Sequence, residues 1–341
     1  MRTRFAAIDG LRGLAALYVT LFHIIANFYP VTVAAVPWYL APFRFGHFAV
    51  SVFIVLSGFC LAYPLIKNNA ATFGAYTFIK RRAIRLLPAF WIATALAFVV
   101  QTVYWHRPVT VTTVLTHVLM LQDVFSYESL TYPYWSLAIE WRIYFVFAAL
   151  VFLWKRTSFS TMAVIGIVLG LSMSVALQHT FLHAMMWHYL ALFFFGAAAA
   201  HVHYHDRYPV SVLYAVSCLS LALFCYCLMT LGPVDAKIMP HLLANDLLIG
   251  IGFSALLVVM IRSARWCRVL SVKPIALLGA ASYSLYLVHA IVIMLVSNLV
   301  LRPSQTTCLA YLAIALPIIL VFSYLFYRVF ERPFVEMNTA A

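Results

Sequence analysis

Ten apolar stretches follow one another along this chain, at residues 8–28, 46–66, 86–105, 136–154, 160–178, 184–203, 210–231, 242–262, 275–297 and 307–329. Each is near the length of about 20 residues that a helix needs to cross the hydrocarbon of a bilayer. Hydrocarbon offers no partner to a backbone amide, and a helix satisfies its own. The pattern therefore predicts an all-α integral membrane protein with about ten transmembrane helices. Charge supports this: only 9% of residues are charged and 65% are hydrophobic, against roughly 25% charged in soluble domains. An eleventh segment, Val109 to Leu121, is short and broken by Thr and His, which fits a re-entrant or interfacial helix. No internal repeat or long linker divides the chain, so residues 1–341 are expected to form a single membrane domain.

Cytoplasmic loops are enriched in Lys and Arg, which tests the scheme independently. With the N-terminus inside, the inner segments receive Arg2, Arg4, Lys67, Lys80, Arg81, Arg82, Arg85, Lys155, Arg156, Arg207, Arg262, Arg265, Arg268, Lys273, Arg328 and Arg332. The outer loops receive Arg44, Arg107, Lys237 and Arg302, while Arg12 and Arg142 fall within spans. Sixteen against four places both termini in the cytoplasm of a multi-pass protein of the cytoplasmic membrane. The same loops account for the net charge of +13, and no soluble basic face remains for nucleic acid. The N-terminal apolar run is too long for a signal peptide and lacks a small-residue cleavage site, so it reads as a permanent helix. The six cysteines show no CxxC spacing, so neither disulfides nor a cysteine metal site is expected.

Ionisable groups at membrane depth are costly and mark functional positions. The first helix carries Arg12 and His23. Eleven residues turn a helix through three turns plus about 20° and advance it about 16 Å, so the two share a face at different depths. Glu140 lies about one turn inside the outer end of its helix, at the depth of His23. A carboxylate beside an imidazole fixes its tautomer and favours the protonated ring, as a general base requires. The alternative is that Glu140 caps a polar spot between helices; an intrahelical pair with Arg142 is disfavoured at that spacing. Arg82 and Arg85, three apart ahead of Pro88, share a face suited to phosphate, or else to anchoring at lipid headgroups.

Several further stretches carry a resemblance. They are Ile8 to Gly13 with His23; Phe53 to Phe59; Arg81, Arg82, Arg85 and Pro88; Tyr134 to Leu137 with Glu140; Tyr283 to His289; and Glu331 to Phe334. In this order they resemble the acyltransferase-3 family of membrane O-acyltransferases over nearly the whole chain. The resemblance implies transfer of an acyl group, often acetyl, from cytoplasmic acyl-CoA to a hydroxyl, commonly on an extracytoplasmic carbohydrate. It further implies that His23 is catalytic and that Arg12, Arg82 and Arg85 serve the acyl-CoA. Acyl-CoA is then a donor substrate, with no permanently bound cofactor and no metal. One departure is Ser51, where many relatives resemble Gly-Val-Asp.

The expected chemistry has His23, oriented by Glu140, taking the proton of the acceptor hydroxyl as it attacks the thioester; an acyl-histidine is the less favoured variant. Trp135, Tyr134, Ser57 and Asn27 are candidate donors to the oxyanion. His289 stands as a second partner, an acceptor contact or a structural residue. His201, His203 and His205 are assigned to an inner loop without metal-ligand partners. His179, His183 and His188 are assigned to an outer loop and the start of the next helix, where aromatic residues such as Tyr132 form an interfacial belt. A small molecule or lipid-linked intermediate is the alternative acceptor. A transporter would show repeats and matched helix breaks, which are absent, and a scaffold subunit would have no need of His23 or Arg12. The topology predicts that thiols placed at 156 and 268 are labelled from the cytoplasm and one at 237 from outside; labelling of all three from one side would refute the ten-span scheme.

Overall fold

The computed structural model describes residues 2–29, 36–106, 108–125, 129–180, 182, 185–231, 239–303 and 306–340. Arg107, His183 and Lys237, used in the charge and histidine assignments, lie outside the described residues. The described chain is helical, with no strand. Its helices are α1 (Arg2–Ala26), α2 (His47–Lys67), α3 (Ala75–Trp105), α4 (Val111–Val118), α5 (Gln122–Phe125), α6 (Tyr134–Arg156), α7 (Phe159–Ala176) and α8 (His188–His205). There follow α9 (Val210–Leu231), α10 (Met239–Arg262), α11 (Ala264–Leu270), α12 (Lys273–Ala280), α13 (Ser282–Leu299) and α14 (Cys308–Phe326). A π-helical turn, Tyr327–Glu331, joins α14 to α15 (Arg332–Ala340).

Nine helices among the described residues are long and apolar enough to cross a membrane, and the protein is an all-α multi-pass membrane protein. The tenth expected stretch is occupied by α8, whose four histidines lower its apolarity. The short segment before the fourth span forms α4, capped by Thr110, whose hydroxyl accepts the Thr113 amide. One boundary differs from expectation. Pro88 does not open the third span; it lies inside α3, which begins at Ala75 and runs for 31 residues. At 1.5 Å per residue that is about 46 Å, against a hydrocarbon core of about 30 Å. The surplus turns carry Lys80 to Arg85 and need no apolar surroundings.

The helices fall into two compact units interleaved along the chain. The first comprises the N-terminal residues to Arg12, His47–Ala75 and Arg142–Ala276. Its axis is α8, packed by α2, α7 and α10, with α9 laid against α10. From His188 to Phe194 every α8 side chain is buried. Helices in lipid have no hydrophobic drive to associate and gain by close backbone approach at small residues. A Cβ on Gly58 of α2 would meet the backbone carbonyl of Phe193, and one on Gly196 of α8 would meet that of Val55. Arg262 ends α10 by donating to the Val202 and Tyr208 carbonyls and pairing with Asp206 at 2.7 Å.

At the other end of α8 this unit encloses a charged cluster. Asp246 of α10 is fully buried. His188 Nε2 lies 3.0 Å and His47 Nε2 3.4 Å from its Oδ2, and the Ser51 hydroxyl donates to its Oδ1. Tyr189 Oη lies 3.1 Å from His47 Nε2. His188 stands at the start of a helix as expected, and it opens α8 with no exposure and grips a carboxylate. His201, His203 and His205 belong to the last turns of α8 rather than to a loop, and His201 stacks on Phe159 at 4.5 Å.

The second unit comprises Gly13–Gly46, Tyr76–Trp141 and Leu277–Ala341. Its most enclosed helix is α13, buried at nearly every position from Ser284 to Met294 and packed on α14. Ile291 of α13 joins Ala97 and Val100 of α3 and Leu130 in one apolar cluster. At the end of α1, Ile25 forms another with Leu40 and Cys308. Breaking a buried charge pair by removing one partner costs about 3–5 kcal/mol. Asp246→Ala should thus lower the melting temperature of the purified protein in detergent by several degrees, and an unchanged melting curve would show that the cluster does not hold the first unit together.

Candidate active site

The second unit fixes α13 before it offers any reactive group. Glu331, at the end of the π-helical turn, is 3% exposed. Its Oε2 accepts the Ser284 hydroxyl at 2.5 Å and the Ser284 amide at 3.1 Å. A helix N-terminus leaves amides unpaired and favours negative charge, so a carboxylate there is stabilising. The extra residue per turn of a π-helix re-aims the side chains after it. Arg85 of α3 lies within electrostatic reach of Glu331, and the Tyr283 hydroxyl donates to the Leu86 carbonyl at 2.9 Å. Three of the sequence motifs thereby converge on the start of α13.

Along α13 the polar face continues inward. The Tyr286 hydroxyl lies 2.6 Å from the Ser136 hydroxyl, and both reach the Pro133 carbonyl at 3.1 Å. Glu140 lies within electrostatic reach of Tyr286. His289, one turn on, is wholly buried, with its ring centroid 5.9 Å from that of Tyr286. His289 Nδ1 bonds the Leu285 carbonyl at 3.0 Å, and its Nε2 meets His23 Nδ1 at 3.0 Å. The His23 ring is partly exposed, stacked on Tyr132 at 5.9 Å and 17° and tilted against Phe22 at 4.9 Å.

The structure thus brings His23 and His289 together, and Glu140 is not among the ring or hydrogen-bond partners of His23. Arg12 pairs with Asp9 at 3.6 Å, one turn earlier on α1. Arg82 and Arg85 lie on α3, both partly buried. Among the candidate oxyanion donors, Ser57 lies 3.4 Å from the Tyr144 hydroxyl in the first unit, and the Asn27 amide donates to Ser297 at 3.0 Å. Tyr134 is fully buried against Phe90 and His117, and Trp135 is partly buried at the start of α6. None of the four is among the ring or hydrogen-bond partners of His23.

Sequence reasoning assigned Tyr132 to an interfacial belt, yet it covers His23. It named Tyr286, Ser136 and Glu331 only as members of motifs. The segment that carries Tyr132 is pinned by His117, whose Nδ1 bonds the Thr113 carbonyl at 2.7 Å and whose Nε2 accepts the Leu130 amide at 3.2 Å. Burial pushes the His117 pKa down, opposed by the Thr113 carbonyl, and the neutral ring is the form that fits both bonds.

Among the described residues no three His, Cys, Asp or Glu side chains are arranged to hold a metal ion. What the second unit offers is a partly exposed imidazole in an apolar setting, backed by a second imidazole and by hydroxyls, which is equipment for moving a proton. Comparison with known proteins agrees with acyl-transfer chemistry. A protein named as an acetyltransferase, ORF330 of Acidianus two-tailed virus, is 25% identical over 293 residues, covering 83% of this chain and 81% of its own. Peptidoglycan O-acetyltransferase OatA of Listeria monocytogenes is 25% identical over 323 residues, covering 83% of this chain; the match spans 48% of its length, about half of that protein. No solved structure matches. The sequence profile of the acyltransferase domain matches residues 5–328, and the chain belongs to the acyltransferase-3 family.

Proposed function

We propose that the protein is an O-acyltransferase of the cytoplasmic membrane that moves an acyl group, in the first instance acetyl, from cytoplasmic acyl-CoA to a hydroxyl of an extracytoplasmic carbohydrate. The observation that carries this reading is the His23–His289 pair. A partly exposed imidazole on α1 stands 3.0 Å from a fully buried one on α13. His23 is the general base. It takes the proton of the acceptor hydroxyl as that oxygen attacks the thioester carbonyl, and it returns the proton to the departing CoA thiolate, so no net proton is consumed.

CoA is polyanionic, and the basic turns of α3 suit its phosphates. Arg82 and Arg85 offer guanidinium forks three residues apart on one face of α3. Glu140 enters through Tyr286 and not by direct contact with the base. A carbohydrate acceptor is supported by the name of the Listeria relative, which acts on peptidoglycan. Comparing envelope glycans by mass spectrometry with and without the protein would identify the acceptor.

Loss of a general base typically costs about 10² to 10⁴ in rate. His23→Ala should retain expression and acyl-CoA binding and lose transfer by that factor; near-normal transfer by the purified variant would overturn the assignment. The double substitution Arg82→Ala with Arg85→Ala should raise the acyl-CoA concentration required or abolish binding while the protein stays folded in the membrane. Unchanged acyl-CoA affinity would return both residues to anchoring at lipid headgroups.

A further inference from the structure

The hydrogen bonds of the histidine pair determine where its protons lie. A carbonyl oxygen only accepts, so His289 Nδ1, 3.0 Å from the Leu285 carbonyl, carries a hydrogen. Neither ring has a carboxylate among its partners in the described residues, and an unpaired imidazolium in an apolar interior is costly, so the pair rests neutral. A neutral His289 with hydrogen on Nδ1 has a bare Nε2. The nitrogen facing it at 3.0 Å, His23 Nδ1, must then be the donor. A neutral His23 is thus left with its lone pair on Nε2.

From this geometry we infer that His289 is a positioning residue that holds His23 in the Nδ1–H tautomer, so that Nε2 is the base nitrogen and the resulting positive charge is shared between two rings rather than matched by a carboxylate. This rests on the reading of His23 as the base. When Nε2 takes the proton of the acceptor hydroxyl, His23 becomes an imidazolium whose Nδ1–H points at the bare Nε2 of His289. A shift of that hydrogen across 3.0 Å moves the charge onto His289, where the Leu285 carbonyl accepts from Nδ1. The reverse shift recovers the proton for the CoA thiolate. Tyr132, stacked on His23 at 17°, and Phe22 hold the ring plane that this alignment needs. Tyr286, bonded to Ser136 and Pro133, packs beside His289 and keeps the second ring from turning.

The test uses the full chain in proteoliposomes, with ¹⁵N-labelled histidine. Solid-state NMR of the resting protein, assigned by comparison with His23→Ala, should show His23 with a protonated Nδ1 and a bare Nε2. His289→Leu should abolish that fixed tautomer, and kcat should fall by on the order of 10² with KM for acyl-CoA unchanged. His289→Gln, whose amide oxygen can accept from His23 Nδ1, should restore the tautomer and recover about tenfold of the rate lost in the leucine variant. A hydrogen on His23 Nε2 in the wild type, a tautomer indifferent to His289→Leu, or equal rates for the leucine and glutamine variants would each overturn the inference. The spectrum needs no turnover, so it stands or falls apart from the activity of His23→Ala.

Discussion

A polar group inside hydrocarbon has no water to fall back on, and each one must be met by the protein itself. That constraint sorts the helices here. Those that face lipid, such as α9, are apolar over most of their surface. The enclosed helices α2, α8, α10 and α13 carry the polar side chains of the two clusters, because there partners are within reach on several sides. In one unit the partners close a charge cluster around Asp246; in the other they line up hydroxyls and imidazoles along a single face. The same requirement accounts for both arrangements. The difference is that the Asp246 cluster is built on a carboxylate held by α2, α8 and α10, whereas the His23 ring meets a second imidazole and aromatic rings.

The outer layers of this design were legible from the sequence. Ten apolar stretches, and the short eleventh, follow from the one-dimensional pattern, since span length is set by bilayer thickness. His23 stands out in the sequence too, because an ionisable residue in a span departs from every neighbour. What the pattern could not supply was partnership between helices distant in the chain. Depth matching offered Glu140 to His23, but depth is one coordinate of three, and azimuth decides that His289 takes the place. Asp246 and His47 belong to no motif, and His188 reads from the sequence only as the start of a helix, because a residue at the edge of an apolar stretch reads equally as exposed. Only the packing of α8 shows that its first turn lies inside. Ser51 looked like a loss relative to the resembling family; beside Asp246 it is a hydroxyl donating to a carboxylate supplied by another helix.

Precision at the second site is built from the outside inward. Glu331 and Arg85 set the start of α13, Tyr283 ties it to α3, and the Tyr286 and Ser136 hydroxyls brace its next turn. Only then does His289 receive His23. The Leu285 carbonyl, one turn earlier, fixes the His289 ring through Nδ1, and that ring in turn meets His23. The π-helical turn belongs to this scaffold, since the register that it introduces is what carries Glu331 to Ser284.

The glycine crossing of α2 and α8 has a similar reach. Ser51 lies seven residues before Gly58, and Tyr189 lies seven residues before Gly196, which is close to two full turns on each helix. The crossing and the Asp246 cluster therefore occupy the same stripe of the same two helices, about 10 Å apart along the axis. With no Cβ on either side, the crossing acts as a fixed pivot, and any widening there would be carried along both rods to the far end. A methyl group gained at Gly58 or Gly196 would be felt first as lengthened bonds to a carboxylate two turns away, so the spacing of the buried charges is gauged by the smallest side chains in the protein.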